Sequence, residues 1–181
     1  MPTKITVDAL SEESLSKAAD RVRKYQRALA NKNRQFVKEL AHKGIEEAAT
    51  ALSADIYPLD TEDKHEAPTV NNPHVFAGKD GEMSATLKLS GPNAVFVEFG
   101  AGTHFNGPAG ASPHPLGEQL GYTIGSYGQG KGQYDSWEYT KSGTTYTSHG
   151  TPALMPLWKA SQKMRQEAIG TAKSIFSIKG I

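Results

Sequence analysis

Four side chains of this 181-residue chain are of the types that do chemistry: Glu98, His104, His114 and His149. A carboxylate with imidazoles is an ordinary ligand set for zinc. The same histidines are candidate general bases for a hydrolase with Ser112, Ser126 or Ser148 as nucleophile. Their spacings of six, ten and thirty-five residues match no compact metal motif, and the three histidines fall in a Gly/Pro-rich segment. No serine lies in a G-x-S-x-G elbow. The run Gly125 to Gly132, GSYGQGKG, superficially resembles a phosphate loop, but Gly132 stands where Ser or Thr must follow Lys131. The better reading is solvated loop histidines, with no catalytic residue, no metal and no cofactor. A metal-assisted hydrolase using Glu98 and the loop histidines is the alternative from another class.

Composition narrows the partners. Lys and Arg number 20 against 19 acidic residues, a net charge of +1, so no general attraction to nucleic acid or an anionic membrane is expected. A local basic stretch exists at Lys17, Arg21, Arg23, Lys24 and Arg27, continued by Lys32, Arg34 and Lys38. Interspersed Asp20 and Glu39 make a solvated helix face the simpler reading, with a DNA-binding module as a third possibility. The absence of cysteine removes thiolate metal sites and disulfides. The first residues lack an apolar leader, and no apolar run approaches the roughly 18 residues of a membrane span. The expectation is a soluble protein made in a cytoplasm, without membrane contact.

The elements that must position these groups follow from periodicity. Ser11 or Ser14 can cap a helix whose apolar residues Leu15, Ala18, Ala19, Val22 and Tyr25 recur at helical spacing. Phe36, Val37, Leu40, Ala41, Ile45, Ala48, Ala49 and Leu52 continue the pattern. One long helix over residues 14 to 54 is predicted, with a possible break near Asn31 to Asn33 and an end at Pro58. Residues 57 to 72 read as a loop with at most one short edge strand. MSATLKLS alternates as a half-buried strand, SGPN is a turn, and AVFVEFG returns as its antiparallel partner.

From Gly100 to Gly150 the chain is rich in Gly, Ser, Thr and Tyr. Within it, Trp137 to Thr140 and Thr144 to Thr147 flank a turn at Ser142-Gly143, with Tyr139 and Tyr146 as cross-strand partners. Pro156 suits the first turn of a second helix, along which Leu157, Ala160, Met164, Ala168, Ala172 and Ile175 step by three or four residues to an end near Phe176. The predicted fold class is α+β: a long N-terminal helix and a C-terminal helix packed on a small antiparallel sheet. It is read as a single domain, 1–181, with a long β-hairpin arm inserted at about 101–150.

Two stretches, AVFVEFGAGTH and GTPALMPLWKASQKMRQEA, together with the order of elements from about residue 14 to about 176, resemble the tail-completion or head-tail joining proteins of tailed bacteriophages. Members of that family have a strand ending in a Glu-aromatic-Gly signature and a Pro-containing start to the last helix. This chain inserts about fifty residues where the family has few, and carries Tyr57-Pro-Leu-Asp-Thr-Glu62 where the family has Ala-Pro-x-x-Thr-Gly. The resemblance implies a structural virion protein of the neck, or a tail terminator, that works without a catalytic step. Its implied partners are further copies of itself in a ring, with sixfold symmetry the family expectation, the neighbouring head-connector and tail-tube or terminator proteins, and passive contact with DNA in the channel. It would act in the virion after assembly in the bacterial cytoplasm. The interface or scaffold residues it points to are Val97, Glu98, Phe99, Gly100 and Gly102, the arm aromatics Trp137, Tyr139 and Tyr146, and Leu154 and Trp158. In that reading Glu98 lies on a strand face and seeks a Lys or Arg of a neighbouring subunit, and the two glycines let the arm leave the sheet.

Overall fold

The computed structural model describes residues 6–53, 68–78, 81–91, 93–102, 112–122 and 133–177. The fold is α+β. The elements in order are α1 (Glu12–Ser53), β1 (Thr69–Val70), β2 (Val75–Ala77), β3 (Met83–Ala85), β4 (Leu89–Ser90), α2 (Ala94–Phe99), β5 (Trp137–Lys141), β6 (Thr144–Ser148) and α3 (Pro156–Phe176). Among the described residues the strands form three antiparallel pairs: β5 with β6 is the hairpin expected in the arm, while the small sheet expected apart from it is two separate pairs, β1 with β4 and β2 with β3. Two compact units are formed, one from Met1–His42, Pro73–Thr86 and Gln166–Ile181, the other from Lys43–Asn72 and Leu87–Arg165. No helix among the described residues is long and apolar enough to cross a membrane.

α1 runs unbroken through Asn31 to Asn33, because nothing there removes a backbone donor or demands a positive φ. Ser11 is its cap: its hydroxyl accepts the Ser14 N–H at 3.3 Å while its carbonyl accepts the Leu15 N–H at 3.0 Å. Glu12 and Glu13 in the first turn complement the helix dipole. Ser11→Ala should cost about 1 kcal/mol, read as a fall in the denaturant midpoint at constant slope. A change within error would mean that water caps this end as well.

In the first unit, Phe36 meets Phe176 edge to face with ring centroids 6.1 Å apart, and Ala41 and Ile175 are buried. In the second, the buried apolar residues are Ala48, Ala51, Val97, Ala101, Leu154 and Ala160. The Leu87 and Met164 side chains pack directly on Gly44, where an added Cβ would stand 2.9 Å from each.

Two expectations are corrected. MSATLKLS keeps its alternating burial, but as two short strands, β3 pairing with Val75–Ala77 and β4 with Thr69–Val70. AVFVEF is helix α2, not the returning strand of a hairpin, and it buries the consecutive residues Val97 and Glu98. Adjacent residues point to opposite faces of a strand, so a strand would have sent one of that pair outward. β propensity yields here to the partners that both residues find in tertiary contacts.

The β5–β6 hairpin matches its sequence signature. Ser142 (φ 51°) and Gly143 (φ 83°) form the two-residue turn, both in the left-handed region that such hairpin turns require. Tyr139 is registered with Tyr146, the rings stacked 5.6 Å apart.

Candidate functional site: a carboxylate joint between two helix ends

α3 begins with Pro156, and its cap position is held by Met155, whose carbonyl accepts the Lys159 N–H at 2.9 Å. A methionine has no oxygen to offer the next free N–H groups, and the first turn holds no acidic residue. Those groups go to Glu98, about sixty residues upstream. Its Oε2 accepts the Leu157 N–H and its Oε1 the Trp158 N–H, each at 2.9 Å. The Leu154 and Met155 N–H groups both donate to the Val97 carbonyl, at 2.8 and 3.3 Å. The Val97 carbonyl in the last turn of α2 is thereby satisfied by the two amides that precede α3, and the first free amides of α3 by the Glu98 carboxylate. The Glu98 carboxylate supplies the negative charge that the α3 N-terminus favours.

His114 completes the carboxylate's environment. The Leu116 N–H donates to Nδ1 at 3.0 Å, which leaves the proton on Nε2, and Nε2 donates to Glu98 Oε1 at 3.1 Å. Both side chains are buried. The imidazole lies 4.5 Å from the Phe99 ring and 5.5 Å from Trp158, and Tyr122 stacks on Phe99 at 3.9 Å. The Ser112 hydroxyl donates to the Phe99 carbonyl and accepts the His114 N–H at 3.2 Å, fixing the turn that carries the histidine. Gly117 N–H to the His114 carbonyl (2.8 Å) and Tyr122 N–H to the Gly117 carbonyl (2.7 Å) close that turn.

The joint extends to the hinge glycines. Ala101 and Thr151 exchange two backbone hydrogen bonds, 2.8 and 3.0 Å. Gly100 (φ 79°) and Gly102 (φ 83°) adopt backbone conformations that other residues resist. A Cβ on Gly102 would lie 3.2 Å from the Gly150 Cα and 3.3 Å from the Trp137 ring.

The sequence-stated residues divide accordingly. Val97, Glu98, Gly100, Gly102 and Leu154 are buried in the joint, with Phe99 and Trp158 half-buried at its aromatic rim. Trp137, Tyr139 and Tyr146 lie half-buried on the hairpin. Glu98 does not stand on a strand face seeking a neighbour's cation: both its oxygens are used within the chain.

Of the metal constellation, Glu98 and His114 meet, His149 is exposed, and His104 lies outside the described residues. Among the described residues no three His, Cys, Asp or Glu side chains converge as a metal site. Ser112 donates to a carbonyl and not to an imidazole, Ser148 accepts the Gly150 N–H at 3.2 Å, and Ser126 lies outside the described residues. Sequence reading missed Gly150 and the capping role of Glu98. One signal was present: α3 opens Met-Pro, with no Ser, Thr, Asp or Asn at the cap position itself, so its free N–H groups need an acceptor from water or from elsewhere in the fold.

The fold and this site define an α+β protein organised around a carboxylate-capped helix junction. Compared with protein-family models, curated proteins and solved structures, the chain matches none.

Proposed function

We propose that this protein is a structural component of a tailed-phage virion, a tail-completion or head-tail joining protein of the neck that forms a ring between the head connector and the tail tube. One observation carries the reading furthest. The two stretches whose sequence resembles that family, 94–104 and 150–168, meet in a single joint at their described residues. The carboxylate at its centre accepts three hydrogen bonds, shared over both oxygens, which suits a rigid scaffold better than a reacting group. The protein works in this reading by contact with further copies of itself and with the neighbouring neck and tail proteins.

The test is negative-stain microscopy of lysates in which the gene is silenced in the phage or prophage that encodes it. DNA-filled heads lying beside separate tails of normal length are the expected result. Tails of uncontrolled length would move the protein to the terminator role, and normal joined particles would reject the neck reading.

A further inference from the structure

Charge is unevenly spread along this chain. Residues 17 to 39 of α1 hold eight basic and two acidic residues, a net +6 in a chain whose total is +1, so the remainder carries −5. Lys17 pairs with Glu13 and Arg23 with Asp20 along the helix. The other six cations, Arg21, Lys24, Arg27, Lys32, Arg34 and Lys38, have no acidic partner among the described residues. Glu39 accepts from the Gln35 amide instead, at 2.8 Å. With 3.6 residues per turn the six fall within one half of the helix circumference, centred away from Leu15, Val22 and Leu29. Arg21, Lys24 and Arg27 stand three apart and Arg34 and Lys38 four apart, spacings at which like charges repel across a helix surface. A polyanion relieves that repulsion.

The surroundings of the arc choose among polyanions. Residues 19 to 27 are exposed at every position, so this stretch of helix is open to solvent all round. A helix, about 10–12 Å across with its side chains, fits the major groove of B-form DNA, about 12 Å wide. Arg21 and Lys32 on one margin of the arc and Arg27 and Arg34 on the other then face the two phosphate backbones that wall the groove, with Lys24 and Lys38 between them. The major groove of duplex RNA is too narrow to admit the helix. An anionic bilayer fits less well, since sinking Leu15, Val22 and Leu29 into it turns the centre of the basic arc to the water. We infer that this face of α1 enters the major groove of duplex DNA and binds its phosphate backbone, without regard to sequence. The inference does not rest on the neck reading, and the purified chain alone decides it.

Fluorescence anisotropy of a labelled DNA duplex of mixed sequence, titrated with the full-length protein at about 50 to 200 mM salt, tests this. The logarithm of the binding constant should fall against the logarithm of salt with a slope of about −4 to −5, the value for four to six neutralised phosphates. Replacing two of the cations together, Arg27→Ala with Arg34→Ala, should weaken binding and flatten that slope by about 2. Lys159→Ala with Arg165→Ala, two exposed cations of α3, makes the same change in net charge and should leave affinity and slope unaltered. Circular dichroism confirms that each variant is folded. Equal losses in the two double variants would reduce the effect to net charge and overturn the inference. So would the absence of binding at the lowest salt, equal affinity for duplex RNA, or tighter binding to phosphatidylserine vesicles than to DNA.

Discussion

Glu98→Ala will lower the unfolding free energy by about 3–5 kcal/mol, the range for removing one partner of a buried, charge-assisted network. The loss is large because of what is left behind. The Leu157 and Trp158 N–H groups at the start of α3 and the His114 Nε2–H would each lose their acceptor. An unsatisfied buried donor costs about 1–3 kcal/mol. Glu98→Gln keeps the shape but exchanges one accepting oxygen for an NH2 group that faces a donor, so about half that loss is expected. Chemical denaturation of both variants, monitored at constant slope, checks the prediction. It also separates two roles for this residue. A carboxylate that served a neighbouring subunit would leave the isolated chain's stability unchanged on substitution and weaken only its assembly, whereas the junction described here loses stability in the isolated chain.

Gly150→Ala is the second large effect. Gly150 has φ 98°, and a Cβ built on it would lie 2.1 Å from the Ala101 carbonyl oxygen and 3.0 Å from the carbonyl carbon. Backbone cannot yield as a side-chain tip does, so the Ala101–Thr151 hydrogen bonds must open. Strain of about 1–2 kcal/mol for a non-glycine at positive φ adds to two lost bonds at about 1 kcal/mol each. A total of at least about 3 kcal/mol follows from these terms. Gly143→Ala is the internal control: φ is 83°, but nothing lies within 4 Å of the added Cβ. It should cost only the conformational share. Equal losses in the two variants would show that the contact with Ala101 is unimportant.

Much of the architecture is legible in local patterns. The period of 3.6 marks α1 and α3, and Pro156 and Phe176 bound the latter as expected. The β5–β6 hairpin is equally legible, because Ser142-Gly143 supplies the turn and the turn sets the register that brings Tyr139 to Tyr146. These elements are decided by residues close together in the chain, so their physics is written in adjacent letters.

Helix α2 and the role of Glu98 are of another kind. Ala94 to Phe99 is a run of six, five apolar residues and Glu98, short enough to be strand or helix on propensity alone. What decides it is the segment Leu154 to Trp158, whose amides need the Val97 carbonyl and the Glu98 carboxylate on the same side. His114 likewise reads from sequence as a loop histidine and becomes a buried donor only when Ser112 ties its turn to Phe99. The sequence by itself determined the two long helices and the hairpin, and it put at the α3 cap position a methionine that offers no oxygen. Only the tertiary structure decided which distant carboxylate supplies that cap, because a hydrogen bond between residues sixty apart leaves no period and no spacing for a linear reading to find.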